Sequence, residues 1–238
     1  SFVMMLLFYL TDRGRHPGNG KNDLRLTSRM LRIALPLAFS AYARSALSTL
    51  EHLLVPRGLK SAGFSADRAL SGYGTIQGMV MPIISFPACF LMALSELMIP
   101  ELTEAQMRGE SAEISHTVRS LLKKGSGYSL AVALAIFIFA DRLGIAVYSS
   151  PEAGHFLRLL APLIPIMYTD MLCDGCLKGL GQQMWNMGIN VLDALLGVLL
   201  VWRVLPVYAL TGYICIIYFN ECLNFALSML RLGKVIRS

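Results

Sequence analysis

Charge is what this sequence has least of. Only 15% of its 238 residues are Asp, Glu, Lys or Arg, whereas 55% are hydrophobic and the mean hydropathy is +0.57. A soluble domain of this length needs more charge to cover its surface, so the composition points to a membrane protein. Histidine is scarce as well, at four residues, and His16, His52, His116 and His155 lie scattered in loops and at the ends of apolar runs. Their scatter leaves surface or interface roles. No HExxH, no phosphate-binding glycine loop, no dinucleotide fingerprint after a strand and no catalytic triad can be found, so nothing asks for an enzyme, a metal or a cofactor. β-strand patterning is absent too. The five cysteines include a Cys173–Cys176 pair with CxxC spacing. A zinc or redox reading of that pair needs a second ligand pair or a βαβ setting, and neither is present, so packed thiols are expected.

Long apolar runs are what the sequence does have. They predict an all-α, polytopic membrane helix bundle with six spans: Leu31–Val55, Gly72–Ile99, Gly125–Val147, Phe156–Leu180, Trp185–Val204 and Tyr208–Leu230. Each is near the roughly 20 residues that cross a bilayer core. Pro82 and Pro87 in the second, and Pro162 and Pro165 in the fourth, predict kinks that neighbouring helices absorb. Between spans, Ser111–Lys124 has helical apolar spacing and reads as an interfacial amphipathic helix. Residues 1–10 are apolar but too short to span, which reads as the end of a preceding transmembrane helix and hence as a fragment. The Gly-rich, charged stretch 11–30 reads as a cytoplasmic linker, and 31–238 as one six-helix lobe.

The net charge of +6 does not signal nucleic acid, because no basic stripe is interleaved with aromatics. Instead the cations sort by side. Residues before the first span, in 100–124, at Lys178 and at the C-terminal end hold most of them. The opposite side holds Arg57, Lys60, Arg68, Arg142, Arg158 and Arg203. The positive-inside rule then sets both ends of the chain in the cytoplasm.

One span is unusual. Leu31–Val55 carries Arg44 and Glu51, seven residues apart and so nearly on one face, with Ser40 and Ser48 one turn either side of Arg44. A charge in hydrocarbon costs about 2.5–3.5 kcal/mol or more, so such a stripe faces a bundle interior or a water-filled cavity. Asp170 and Asp174 are one turn apart, and so are Asn220 and Asn224, while Asn190 and Asp193 share a face. Each pair reads either as a proton- or ion-coupling site or as a polar seam between packed helices.

Five stretches carry a family resemblance: Ala34-Leu-Pro-Leu-Ala followed by Arg44-Ser; Leu53-Leu-Val-Pro-Arg57 with Lys60-Ser-Ala-Gly63; Met98-Ile-Pro-Glu-Leu-Thr-Glu-Ala105; Leu177-Lys-Gly-Leu-Gly-Gln182; and Tyr208-Ala-Leu-Thr-Gly-Tyr213. Together, in this order, they resemble the stage V sporulation protein B-like branch of the MOP flippase superfamily, which also holds the MurJ-type lipid II flippases. Thr103 stands where that branch usually has Ser, and Tyr208-Ala-Leu lacks its usual Gly.

The resemblance implies two six-helix lobes around a central cavity, with this chain as the C-terminal lobe and an N-terminal lobe as its partner. It implies transport of an undecaprenyl-pyrophosphate-linked saccharide, a peptidoglycan or polysaccharide precursor, across the bacterial cell membrane. Membrane lipids are the other expected partner. Arg44, with Glu51 nearby, is then the candidate contact for the substrate's diphosphate, against the plainer reading in which Arg44 pairs with Asp170 or Asp174. The rival functions are an ion-coupled multidrug or cation antiporter and a non-transporting membrane protein.

Overall fold

A computed structural model describes Met4, residues 24–63 and residues 66–237. The expected helix end in 1–10 and most of the linker 11–30 lie outside the described residues. Contacts divide the chain into residues 1–39 and 40–238, and all that follows on packing concerns the second unit. Every described element is helical. They are α1 (Leu24–Ser61), α2 (Ala66–Thr75), a π turn (Ile76–Val80), α3 (Met81–Arg108), α4 (Ser111–Tyr148), α5 (Pro151–Leu160), a 3-10 turn (Ala161–Leu163), α6 (Ile164–Gly179) and α7 (Gln183–Arg237).

Among the described residues, four stretches are long and apolar enough to cross a membrane: Ser71–Arg108, Ser111–Tyr148, Pro151–Gly179 and Gln183–Ile236. Two differences from the expected spans have a local cause. First, the amphipathic stretch 111–124 and the span after it are one helix of 38 residues. Gly125 does not break it, because a Cβ there would collide with the Leu172 side chain; this glycine exists to let α6 come close. Second, the last two expected spans fall in one run of 55 residues, with Pro206 inside and Ala209 out of helical geometry at φ 50°, ψ −134°. At 1.5 Å per residue such a run is about 80 Å long, far beyond a bilayer core of about 30 Å. The break at Ala209 separates its two halves. α1 is not among the four, although it has 38 residues; its Ser, Thr, Arg and Glu stripe dilutes its apolarity.

Proline and glycine set the ends. Pro162 sits in the 3-10 turn and Pro165 in the first turn of α6, so the expected break falls where the prolines stand. The π turn ends just before Pro82, in the first turn of α3. Gly109 (φ 75°) closes α3 with its amide on the Ala105 and Gln106 carbonyls. Ser150 caps α5 by accepting from the Ala153 amide at 3.2 Å, and Pro151 follows it in the first turn.

The stretch 151–179 is central. In its most apolar part 61% of residues are buried, against 17–28% for the other three. α6 packs against α3, α4 and α7. Small residues permit this: a Cβ on Gly144 would stand 2.5 Å from the Gly154 amide nitrogen, so α4 and α5 touch backbone to backbone. Cys173 and Cys176 belong to this core as free thiols. The Tyr168 hydroxyl, fully buried, donates to the Ile84 carbonyl at 2.5 Å. Outward, Phe86 is 80% exposed and Val207 69%, with Phe90, Ile138, Leu199 and Trp202 also open. In water such a surface would aggregate, whereas in lipid it is the expected face.

Candidate functional site

The polar stripe of α1 faces a cavity of about 490 Å³. Ser40, Arg44, Ser45, Ser48 and Thr49 line it from α1; Lys178 lines it from the end of α6; Gln183, Asn186, Met187 and Asn190 line it from the first turns of α7. Arg44 is exposed to this space, and none of the ion pairs found among the described residues involves it. It lies within electrostatic range of Asp174, Asp193 and Glu221. The Ser40 hydroxyl contacts the Met187 sulfur at 3.6 Å.

Beside the cavity runs a buried seam. Asn224 donates from Nδ2 to Asp170 Oδ2 at 2.9 Å, and Ser228 donates to Asp174 Oδ1 at 3.5 Å. Asn186 hydrogen-bonds the Asp174 carboxylate. Asn190 donates to the Asn186 carbonyl at 2.8 Å and to its side-chain oxygen at 3.1 Å. The seam reaches Glu51 at Gly197. A Cβ on Gly197 would lie 3.0 Å from Asn220 Nδ2 and 3.2 Å from Glu51 Oε2, so the missing side chain is what lets these groups gather. Four buried oxygens along the seam have no hydrogen-bond partner: Asp170 Oδ1, Asp193 Oδ1, Asn220 Oδ1 and Asn224 Oδ1. Such atoms are costly to leave unmet, so they mark where water or a ligand belongs. No group of three His, Cys, Asp or Glu among the described residues is arranged to hold a metal ion.

Arg44, Glu51, Asp170, Asp174, Asn190, Asp193, Asn220 and Asn224 thus fall in one connected polar region. Asn186, Ser228 and Glu221 belong to it and were not singled out from the sequence. The signal was there in part: Asn186 stands one turn before Asn190, and Ser228 one turn after Asn224. His52 has more than a surface role, since its Nδ1 bonds the Tyr73 hydroxyl, while Gln77 Nε2 donates to the Tyr213 hydroxyl at 2.6 Å.

Apolar helices around a buried polar seam and a cavity define a multi-pass membrane protein. The MatE family profile matches residues 61–202, more than half of the sequence, and the chain belongs to the MatE family. It is 28% identical over 184 residues to the sporulation protein YkvU of Bacillus subtilis (strain 168), covering 75% of this chain and 41% of that protein. It is 22% identical over 182 residues to stage V sporulation protein B of the same organism, covering 75% of this chain and 34% of that protein. The chain therefore spans less than half the length of these relatives. Both fit the resemblance read from the motifs. No solved structure matches the chain.

Proposed function

We propose that this chain is the C-terminal, six-span lobe of a flippase that carries an undecaprenyl-pyrophosphate-linked saccharide across the bacterial cytoplasmic membrane by alternating access. Both ends of the chain are cytoplasmic in this reading, and an N-terminal lobe closes the other side of the cavity. The observation that carries it is Arg44, exposed to a hydroxyl-lined cavity and held in no ion pair among the described residues. A guanidinium forks onto phosphate oxygens and keeps its proton at any physiological pH. Ser40, Ser48 and Thr49 add hydroxyls beside it. Asp174, Asp193 and Glu221 lie within electrostatic range of Arg44 and give it somewhere to return when the diphosphate leaves. Glu51 serves the far end of the same stripe.

The seam supports the second part of the reading, coupling. Asp170, Asp174 and Asp193, with Asn190, Asn220 and Asn224, offer carboxylates that a proton or a monovalent cation neutralises. The same gathering of acids favours the rival reading, a cation-coupled export of small cationic molecules by a MatE-type antiporter. Membership of the MatE family supports transport in either case.

The test compares Arg44→Ala with the parent in the complete transporter, reading the flipping of a fluorescent lipid-linked saccharide in proteoliposomes. Loss of flipping with retained expression is expected. Undiminished flipping sinks the assignment of Arg44. Ion-driven export of a cationic dye that survives Arg44→Ala and fails in Asp170→Asn selects the antiporter instead.

A further inference from the structure

We infer that a second cavity, of about 430 Å³ at the C-terminal end of α7, binds the phosphate of an anionic phospholipid through Lys234 and Arg231. Helix ends meet there. Gly109 after α3, Ser111 at the start of α4, Leu180 after α6 and the last turns of α7 all line it. All four membrane-crossing stretches found among the described residues have a terminus at this groove, so it lies at the level where lipid headgroups sit.

The cations are prepared for an anion. Arg231 is half-buried and held in place: Nε and Nη2 both donate to Gln182 Oε1, at 3.1 and 2.6 Å, and its guanidinium lies 4.9 Å from the Trp185 ring centre. That leaves Nη1 for a ligand. Lys234 is exposed one turn further on, and neither residue joins an ion pair among the described residues. Two acids stand at this end of α4: Glu110, which Arg108 engages at 3.9 Å and which gives the helix no side-chain cap, and Glu113 in its first turn, which interacts with Glu110. The Ser111 amide donates to the Gly109 carbonyl at 3.1 Å, and the start of α4 beyond it adds partial positive charge. Ile114, Leu180, Val235 and Ile236 add an apolar wall, beside the side chain of Gln106. A soluble phosphate has no use for that wall, whereas an acyl chain does. Basic pockets between helices at a membrane surface bind acidic headgroups in this way.

The test needs no transport and so stands apart from the flippase reading. Trp185 and Trp202 are the two tryptophans, so Trp202→Phe leaves Trp185, under Arg231, as the reporter. The chain in phosphatidylcholine nanodiscs is titrated with phosphatidylglycerol, and Trp185 emission is read. A saturable change is expected, weakened about fivefold in Lys234→Gln and restored in Lys234→Arg. Circular dichroism checks that each variant is folded. The inference is overturned if Lys234→Gln titrates like the parent, or if added phosphatidylcholine gives the same curve. Saturation by inorganic phosphate alone would overturn the lipid and leave a soluble anion in its place.

Discussion

Asn224 and Asp170 are 54 residues apart in sequence, and their side chains meet at 2.9 Å in the middle of the apolar bundle. The bond ties the second half of α7 to the central helix α6. A carboxylate oxygen in that setting needs every donor it has. We expect Asn224→Ala to destabilise the folded chain by about 1–3 kcal/mol, because Asp170 then loses its amide donor. Reversible unfolding in mixed detergent micelles measures this. A change within error of zero would show that solvent already serves Asp170.

The close approach of α6 to α3 gives a sharper contrast. A Cβ on Gly175 would run into the Ser95 hydroxyl, which itself donates to the Met171 carbonyl at 3.3 Å. Gly175→Ala is expected to cost about 1–3 kcal/mol by overpacking. Gly188, on exposed α7 surface with nothing within 4 Å, is the control. Gly188→Ala should stabilise by about 0.4–1 kcal/mol through chain entropy. The two variants should move the unfolding midpoint in opposite directions.

Ala209 holds a backbone conformation that a side chain resists, with φ 50°. Such strain costs on the order of 1–3 kcal/mol, and glycine relieves it. Ala209→Gly should therefore raise the thermal midpoint in detergent, and Ala209→Val should lower it. Equal midpoints for all three would place no strain at this position.

Arg44→Lys separates charge from shape. Lysine keeps the charge but not the planar fork. In the proposed flippase, binding of the lipid-linked diphosphate should fall by roughly tenfold in Arg44→Lys and further in Arg44→Gln, as loss of one charge-assisted hydrogen bond of about 1.5 kcal/mol or more implies. Native mass spectrometry or a fluorescence titration reads both. Equal binding by the Lys variant would reduce the role of Arg44 to charge alone.

Much of the site could be read in advance because the bilayer makes polar residues conspicuous. Arg44 stood out in an apolar run, and Asn220 with Asn224 stood out by their one-turn spacing. What could not be read was pairing across helices. The one-turn spacings of Asn186 to Asn190 and of Ser228 to Asn224 hint at these residues, but their shared partner shows only when Asp174 comes to lie between them. Gly197 looked like any glycine in a span, and its role appears only when Glu51 and Asn220 converge on it. Span ends were the other weak point. The apolar spacing divides the amphipathic stretch Ser111–Lys124 from the span that starts at Gly125, yet Ser129 and Ser126 turn their hydroxyls back onto α4 itself and Leu172 fills the space over Gly125. Local propensity gave way to packing.

The four unmet oxygens of the seam share a chemical character: every one is an acceptor. Unmet acceptors welcome hydroxyls and cations alike and turn anions away. The cavity beside the seam differs, because Arg44 and Lys178 bring positive charge to its wall among the hydroxyls of Ser40, Ser45, Ser48 and Thr49. A molecule with a phosphate at one end and hydroxyls at the other would therefore turn its phosphate to the cavity wall and its hydroxyls to the seam, an orientation chosen by polarity before any shape is matched.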